Sequence, residues 1–294
     1  MQERKSLDAT AYALMLALTA LWGFQQVTVK AIAHDVSLVM QAALRSILAT
    51  ALLLAWMRLR RLPFLERDGT LGAGLAAGLL FAGEFVFIYA GLGHTNASRM
   101  SVFIYLAPAL TALGLHFFVK SERLSALQWA GVVLAFLGIA LAFSKGFSSA
   151  QRTWIGDLCG VIGALLWAAT TVLIRATRLS QATAAKTLFY QLAVSAVVLL
   201  PTSLVMGEPG LQRMSTGALA ALAYQGAVVA FASYLAWFWL LTRYYAARLS
   251  VLSFLTPMFG VACGVAFLAE PLSGRFGLAA LAVGGGIALV NLRR

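Results

Sequence analysis

The chain has 294 residues, 61% hydrophobic and 11% charged, with a formal charge of +12. Soluble domains average about 45–50% apolar and about 25% charged residues. Here the apolar surplus comes in blocks long enough to cross a bilayer, which excludes an ordinary soluble domain. The positive charge sits in short loops between those blocks, a topological pattern that argues against a nucleic-acid partner.

The first apolar segment, 9–29, follows Arg4 and Lys5 and has no small-residue cleavage site, so it reads as an uncleaved span. Trp22 is followed there by Gln25 and Gln26. Polar side chains within a span favour the bundle interior, so Trp22 and Gln25 are expected to line a cavity, with lipid-facing packing as the alternative. The second segment, 37–57, holds Arg45. It reads as a structural cation that snorkels or pairs, although it could hold a substrate carboxylate. The third, 69–92, holds Glu84. A carboxylate at that depth costs about 2.5–3.5 kcal/mol on insertion scales. It is expected to bind a substrate ammonium group or carry a proton, or else to pair with Arg45 or be kept neutral by burial. The fourth, 97–118, offers Tyr105 as a cavity residue and Pro108, whose missing N–H should kink the helix into a hinge.

Before the fifth segment, 124–143, stand Glu122 and the capping-box spacing Ser125/Gln128, both structural. The sixth, 154–174, carries Trp167 with Thr170 and Thr171, a second candidate cavity face. The seventh covers 183–206. In the eighth, 215–240, Ser233, Tyr234 and Trp237 can share one helical face toward the cavity, while Tyr244 and Tyr245 beyond it look like interfacial anchors. The ninth, 248–268, has its own expected hinge at Pro257, and the tenth covers 272–291. Arg99 and Arg248 at the starts of the fourth and ninth read as anchors. The pairs Gly74/Gly78, Gly156/Gly160 and Gly260/Gly264 suit close helix packing. Cys159 and Cys263 read as packing residues, without disulfide or metal-ligand spacing. His34, His94 and His116 form no metal cluster or triad, and no phosphate-binding Gly-Lys loop is present. No ATP engine, metal or other cofactor is therefore expected.

With the N-terminus in the cytoplasm, fifteen basic residues fall on the inner side. They are Arg4, Lys5, Arg58, Arg60, Arg61, Arg67, Lys120, Arg123, Arg175, Arg178, Lys186, Arg243, Arg248, Arg293 and Arg294. Six fall outside: Lys30, Arg99, Lys145, Arg152, Arg213 and Arg275. That asymmetry places both termini in the cytoplasm.

A shift of 145 lays Trp22–Lys30 over Trp167–Arg175. A shift of 149 lays Ala97–Pro108 over Ala246–Pro257, matching Ala97, Arg99, Ser101, Val102, Leu106 and Pro108 to identical residues. A shift of 148 pairs Glu122-Arg-Leu-Ser with Glu270-Pro-Leu-Ser, and Gly138-Ile-Ala-Leu with Gly286-Ile-Ala-Leu. Two repeats follow, 1–145 and 153–294. Five spans each is an odd number, so the second half must be inverted, as in many secondary transporters with midplane sites. The expected fold is all-α, ten membrane helices in two inverted five-helix repeats around a central cavity.

The repeat, the ten segments and the Pro-then-Glu-x-Leu-Ser endings resemble the drug/metabolite transporter superfamily, specifically its ten-helix EamA branch. The aromatic-rich helices are similar to those of the YddG-type aromatic amino-acid exporters within it. The resemblance implies a basket of helices 1–4 and 6–9 braced by 5 and 10, in a bacterial inner membrane. It also implies export of amino acids or similar metabolites. The first-helix carboxylate of four-helix drug-efflux relatives has no counterpart in 9–29 or 154–174, beyond Asp157 at a helix start. The function read here is a secondary transporter or facilitator of small molecules, amino acids with aromatic or large neutral side chains foremost. A membrane-embedded enzyme acting on lipid-linked substrates is the alternative.

Overall fold

A computed structural model describes residues 4–63, 66, 68–95, 97–148, 153–268 and 274–292. Glu270, expected to mirror Glu122, lies outside the described residues, as do Arg67, Arg152, Arg293 and Arg294. The first half comprises α1 (Ala9–Ala31), α2 (Leu38–Leu59), α3 (Leu71–Leu92), α4 (Ala97–Ile104), α5 (Ala107–Phe118) and α6 (Ala126–Ala142). The second comprises α7 (Trp154–Ala176), α8 (Ala184–Val205), α9 (Thr216–Ala223), a π-helical stretch (Tyr224–Ser233), α10 (Tyr234–Arg243), α11 (Ala246–Leu252), α12 (Leu255–Leu268) and α13 (Arg275–Asn291). Among the described residues there is no strand, only two isolated bridges, Lys5 with Tyr244 and Val36 with Leu211.

Eight helical segments are long and apolar enough to cross a membrane, counting α4–α5, α9–α10 and α11–α12 as one each. The chain is therefore a multi-pass membrane protein. The fifth and tenth predicted segments form shorter apolar helices, α6 and α13, of 17 residues each. These two pack along one another. A methyl group on Gly131 would stand 2.6 Å from the Gly286 carbonyl oxygen, so the backbones touch there. The expected capping box at Ser125 and Gln128 is present, and Gln128 also donates to the Val290 carbonyl at 2.9 Å, tying α6 to α13.

Pro108 and Pro257 act more strongly than the expected kinks. Each fourth-type helix breaks just before its proline, giving α4/α5 and α11/α12. A proline cannot donate to the carbonyl four residues back, and the chain tightens to three-residue bonds instead. Leu106 N donates to Phe103 O at 3.1 Å, and Phe254 N to Val251 O at 3.2 Å. Thr256 N takes the Ser253 carbonyl that a residue-257 amide would otherwise have used, at 3.0 Å.

Polar pairs at the two ends of the bundle set the helix directions. α1 starts beside the end of α10: Lys5 N donates to Arg243 O at 3.1 Å, and Tyr244 donates its hydroxyl to Asp8 Oδ1 at 2.8 Å. Tyr244, expected at a lipid interface, is thus buried, because Asp8 gives its hydroxyl a partner inside. Lys5, with help from the Ala11 amide and Tyr244, holds the Asp8 carboxyl well below the usual carboxylate range. At this same end Glu122 accepts from Arg175, at the end of α7, and from the Ala246 and Ala247 amides that start α11. At the opposite end Asp157, in the first turn of α7, pairs with Arg99 at the start of α4 and accepts from Thr95 just after α3. Arg99, read as an anchor, is therefore one half of an ion pair.

Candidate functional site

Between the helices lies a cavity of about 270 Å³. Its wall is built from repeating helical faces. From α1 come Trp22, Gln25, Gln26 and Val29, and from α7 come Trp167, Thr170, Thr171 and Ile174. Each set has the i, i+3, i+4, i+7 spacing that puts four side chains on one stripe. They are also position-for-position mates under the 145-residue shift. α3 contributes Phe81, Glu84, Phe85, Ile88, Tyr89 and Leu92, and α10 contributes Tyr234, Trp237 and Phe238. The last three are the mates of Phe85, Ile88 and Tyr89 under the 149-residue shift.

The aromatic rings meet in two clusters. Trp22 packs edge-on against Tyr234 and Trp237, with ring centroids 6.2 and 5.8 Å apart. Phe81 continues this cluster, edge-on to Tyr234 at 6.0 Å. Across the cavity Tyr105 meets Trp167 edge-on at 6.3 Å. Edge-to-face pairs of this kind add about 0.5–1.5 kcal/mol beyond area burial, and they fix ring planes that a substrate would meet.

Of the residues singled out from sequence, Trp22, Gln25, Glu84, Tyr105, Trp167, Thr171, Tyr234 and Trp237 all line this space. Ser233 does not. It is buried behind the wall, where its hydroxyl accepts from the Trp22 indole N–H at 2.9 Å and donates to the Val229 carbonyl at 2.6 Å. It orients the tryptophan. Pro108 and Pro257 also stand outside the lining, while Tyr105 at the first break and Thr256 beside the second are in it.

Gln26, Thr170 and Arg45, noted in the sequence, line the cavity too, and Phe81, Phe85, Tyr89 and Gln191 join them without having been singled out. Arg45 is 2% exposed, with its guanidinium 4.2 Å from the centre of the Phe85 ring. It is inside the bundle and does not snorkel. No ion pair joins it to Glu84 among the described residues. The signal for most of the missed residues was available, since Phe81, Phe85, Ile88 and Tyr89 follow from Glu84 by helical spacing. The π-helical turn that carries Ser233 had no such signal. Among the described residues no group of His, Cys, Asp and Glu could hold a metal ion.

The cavity reaches toward one end of the bundle, where Leu38 opens α2, Leu92 closes α3 and the exposed Ala97 opens α4. On α4 the stripe Ala97, Met100, Ser101, Ile104 and Tyr105 lines it. The mates on α11 and the following turn, Ala246, Leu249, Ser250, Ser253 and Phe254, are all buried and stand outside this cavity's lining. At the opposite end Glu122, Arg175 and the first amides of α11 are buried together.

Comparison with known proteins agrees with this architecture. A transporter of Archaeoglobus fulgidus whose role is uncharacterized is 30% identical over 255 residues, 84% of this chain and 85% of that one. Proteins named probable amino-acid metabolite efflux pumps are 24% identical in Salmonella typhimurium, over 89% of this chain and 88% of the other, and 24% identical in Escherichia coli, over 89% and 88%. A solved crystal structure 20% identical in sequence shares the fold with a TM-score of 0.81, covering 96% of each chain. The pattern of the EamA-like transporter family matches twice, over residues 9–144 and 154–292. The chain belongs to the EamA-like transporter family, within the drug/metabolite transporter superfamily.

Proposed function

We propose that this transporter exports small metabolites, amino acids with aromatic or large neutral side chains first, by alternating access around the central cavity. The observation that carries the reading is the paired aromatic wall, Trp22 and Trp167 on mated helical faces with the rings of Tyr105, Tyr234 and Trp237 beside them. Flat apolar surfaces suit such side chains, while the few polar groups between them suit a small head group. The two relatives named as amino-acid metabolite efflux pumps support the same substrate class.

The cycle proposed is that of two inverted halves, 1–145 and 153–294, with ten spans and both termini in the cytoplasm of a bacterial inner membrane. Supporting it, α7 begins where α3 ends and ends where α11 begins, opposite in direction to α1. The contrast between α4 and α11 also supports it, since mated stripes are open at one end and packed at the other. In this orientation the described conformation opens outward and the Glu122 cluster seals the cytoplasmic end. Pro108 and Pro257 supply the bending points.

Purified protein in liposomes preloaded with an unlabelled amino acid should take up labelled phenylalanine, tryptophan or leucine saturably by counterflow. An imposed pH gradient reads whether protons accompany substrate. No saturable movement across an amino-acid panel refutes the substrate class.

A further inference from the structure

Two ionisable side chains, Arg45 and Glu84, face the cavity among the aromatic rings. Arg45 on α2 is buried, and its Nε and Nη2 have no hydrogen-bond partner. A guanidinium carries five N–H donors, and at membrane depth such a group persists where it pairs or meets a substrate. Glu84 on α3 is 7% exposed and lines the same space. The simplest relief, an ion pair between the two, is not made among the described residues. Phe85, adjacent to Glu84 in sequence, instead supports the Arg45 guanidinium on its ring face. Arg45 and Glu84 thus line one cavity with no ion pair between them.

Their repeat mates carry no charge and are otherwise engaged. Tyr190, the mate of Arg45, shares a hydrogen bond with Thr70 at 3.1 Å. Ser233, the mate of Glu84, holds the Trp22 indole. The aromatic wall is contributed by both halves, whereas the charges come from the first half alone.

We propose that Arg45 and Glu84 are the two poles of a head-group site for a zwitterion, the guanidinium receiving the carboxylate and Glu84 receiving the ammonium group. This rests on the amino-acid reading above and refines it. The guanidinium fork matches a carboxylate with two parallel hydrogen bonds. The substrate side chain then points to the rings of Trp22, Tyr234 and Trp237 or to Tyr105 and Trp167. A phosphate fits badly, because its second negative charge would face Glu84.

The test is inhibition of labelled phenylalanine counterflow by two probes, phenylalaninamide, which lacks the carboxylate, and 3-phenylpropionate, which lacks the ammonium group. Hydrogen bonds to charged groups are worth about 1.5–3 kcal/mol, so each probe should compete at least about tenfold more weakly than phenylalanine with the wild-type protein. This comparison needs no variant. Arg45→Gln should then weaken phenylalanine at least about tenfold while leaving phenylalaninamide unchanged, and Glu84→Gln should weaken phenylalanine while leaving 3-phenylpropionate unchanged. Wild-type protein that takes both probes as well as phenylalanine overturns the site, as does an Arg45→Gln protein that weakens phenylalanine and both probes equally. Phenylalanine transport survives in the first of those results, so the transporter reading stands. Wild-type protein that moves no amino acid overturns both.

Discussion

Replacing Glu122 by alanine should cost more stability than any other single polar change in the chain. Its carboxylate is fully enclosed, and the Arg175 side chain facing it is 2% exposed. It accepts from Arg175 Nε at 2.9 Å, from Arg175 Nη2, and from the Ala246 and Ala247 amides at 3.1 and 3.0 Å. Removing one member of a buried ion pair costs about 3–5 kcal/mol, because the other charge is left without compensation. The alanine variant also orphans two buried amides, each worth about 1–3 kcal/mol, so it belongs at the top of that range. Arg175→Leu should be milder. Glu122 then keeps its two amide donors, and Arg4, which is near enough to feel both charges, remains beside it. The double variant should lose clearly less than the sum of the two. Thermal unfolding in detergent, scanned at one fixed rate, reads the order Glu122→Ala below Arg175→Leu below wild type. Two variants that melt with wild type, or losses that simply add, would refute the assignment of a coupled buried pair.

The remaining predictions concern packing, acid stability and the site. Gly23→Ala should destabilise by about 1–3 kcal/mol, since a methyl group there would stand 2.7 Å from the Gly260 amide nitrogen, a backbone atom that cannot step aside. Gly260→Ala, on the other side of that contact, meets nothing closer than 3.7 Å and should melt with wild type. The hydrogen bond from Lys186, aided by Thr70, holds the Asp68 carboxyl below the usual carboxylate range. Its contribution is complete above the unfolded value of about 3.9 and is lost as pH falls through the depressed folded value. Asp68→Asn should therefore flatten the acid limb of unfolding temperature against pH, and an unchanged limb counts against the pair. Trp167→Ala should reduce counterflow of aromatic amino acids more than of leucine, measured as a change in the ratio of half-saturating concentrations; equal losses would make Trp167 mere packing.

The apolar blocks and their order were legible because membrane spans announce themselves by length, and the cavity faces of α1 and α7 because mated positions carried polar residues. What was hidden has physical causes. For Arg45 the sequence left a structural cation and a holder of a substrate carboxylate both open, because spacing shows a charge but not whether a partner reaches it; that its Nε and Nη2 lack a hydrogen-bond partner appears only in three dimensions. Ser233 was placed on the correct helix and the wrong side of the wall. The stretch 224–233 is π-helical, and that rotates residues away from the 3.6-residue register on which face assignments depend. The prolines were expected to bend continuous helices, yet the chain closes its hydrogen-bond deficit locally with three-residue bonds, which splits them. Tyr244 has the composition of an interfacial anchor, and only the distant Asp8 makes its burial tolerable.

The contrast between α4 and α11 bears on how an alternating cycle could run at modest cost. Ala97–Pro108 and Ala246–Pro257 share their key residues, yet one stripe lines the cavity and the other is packed. Six identical positions in twelve, in two environments, fit the proposed exchange as a transfer of contacts from one end to the other without refolding of either helix. The closed end is held by the four hydrogen bonds on Glu122 together with those of Lys5 to Arg243 and Tyr244 to Asp8. A substrate need supply only the difference between those bonds and whatever forms at the open end. A ligand shifts such an equilibrium by no more than its differential affinity for the two states. A head-group site formed by α2 and α3 of one half, facing rings from both, supplies such a difference if the halves close around it. Arg45 and Glu84 would then set both which molecule is carried and whether the loaded protein turns over.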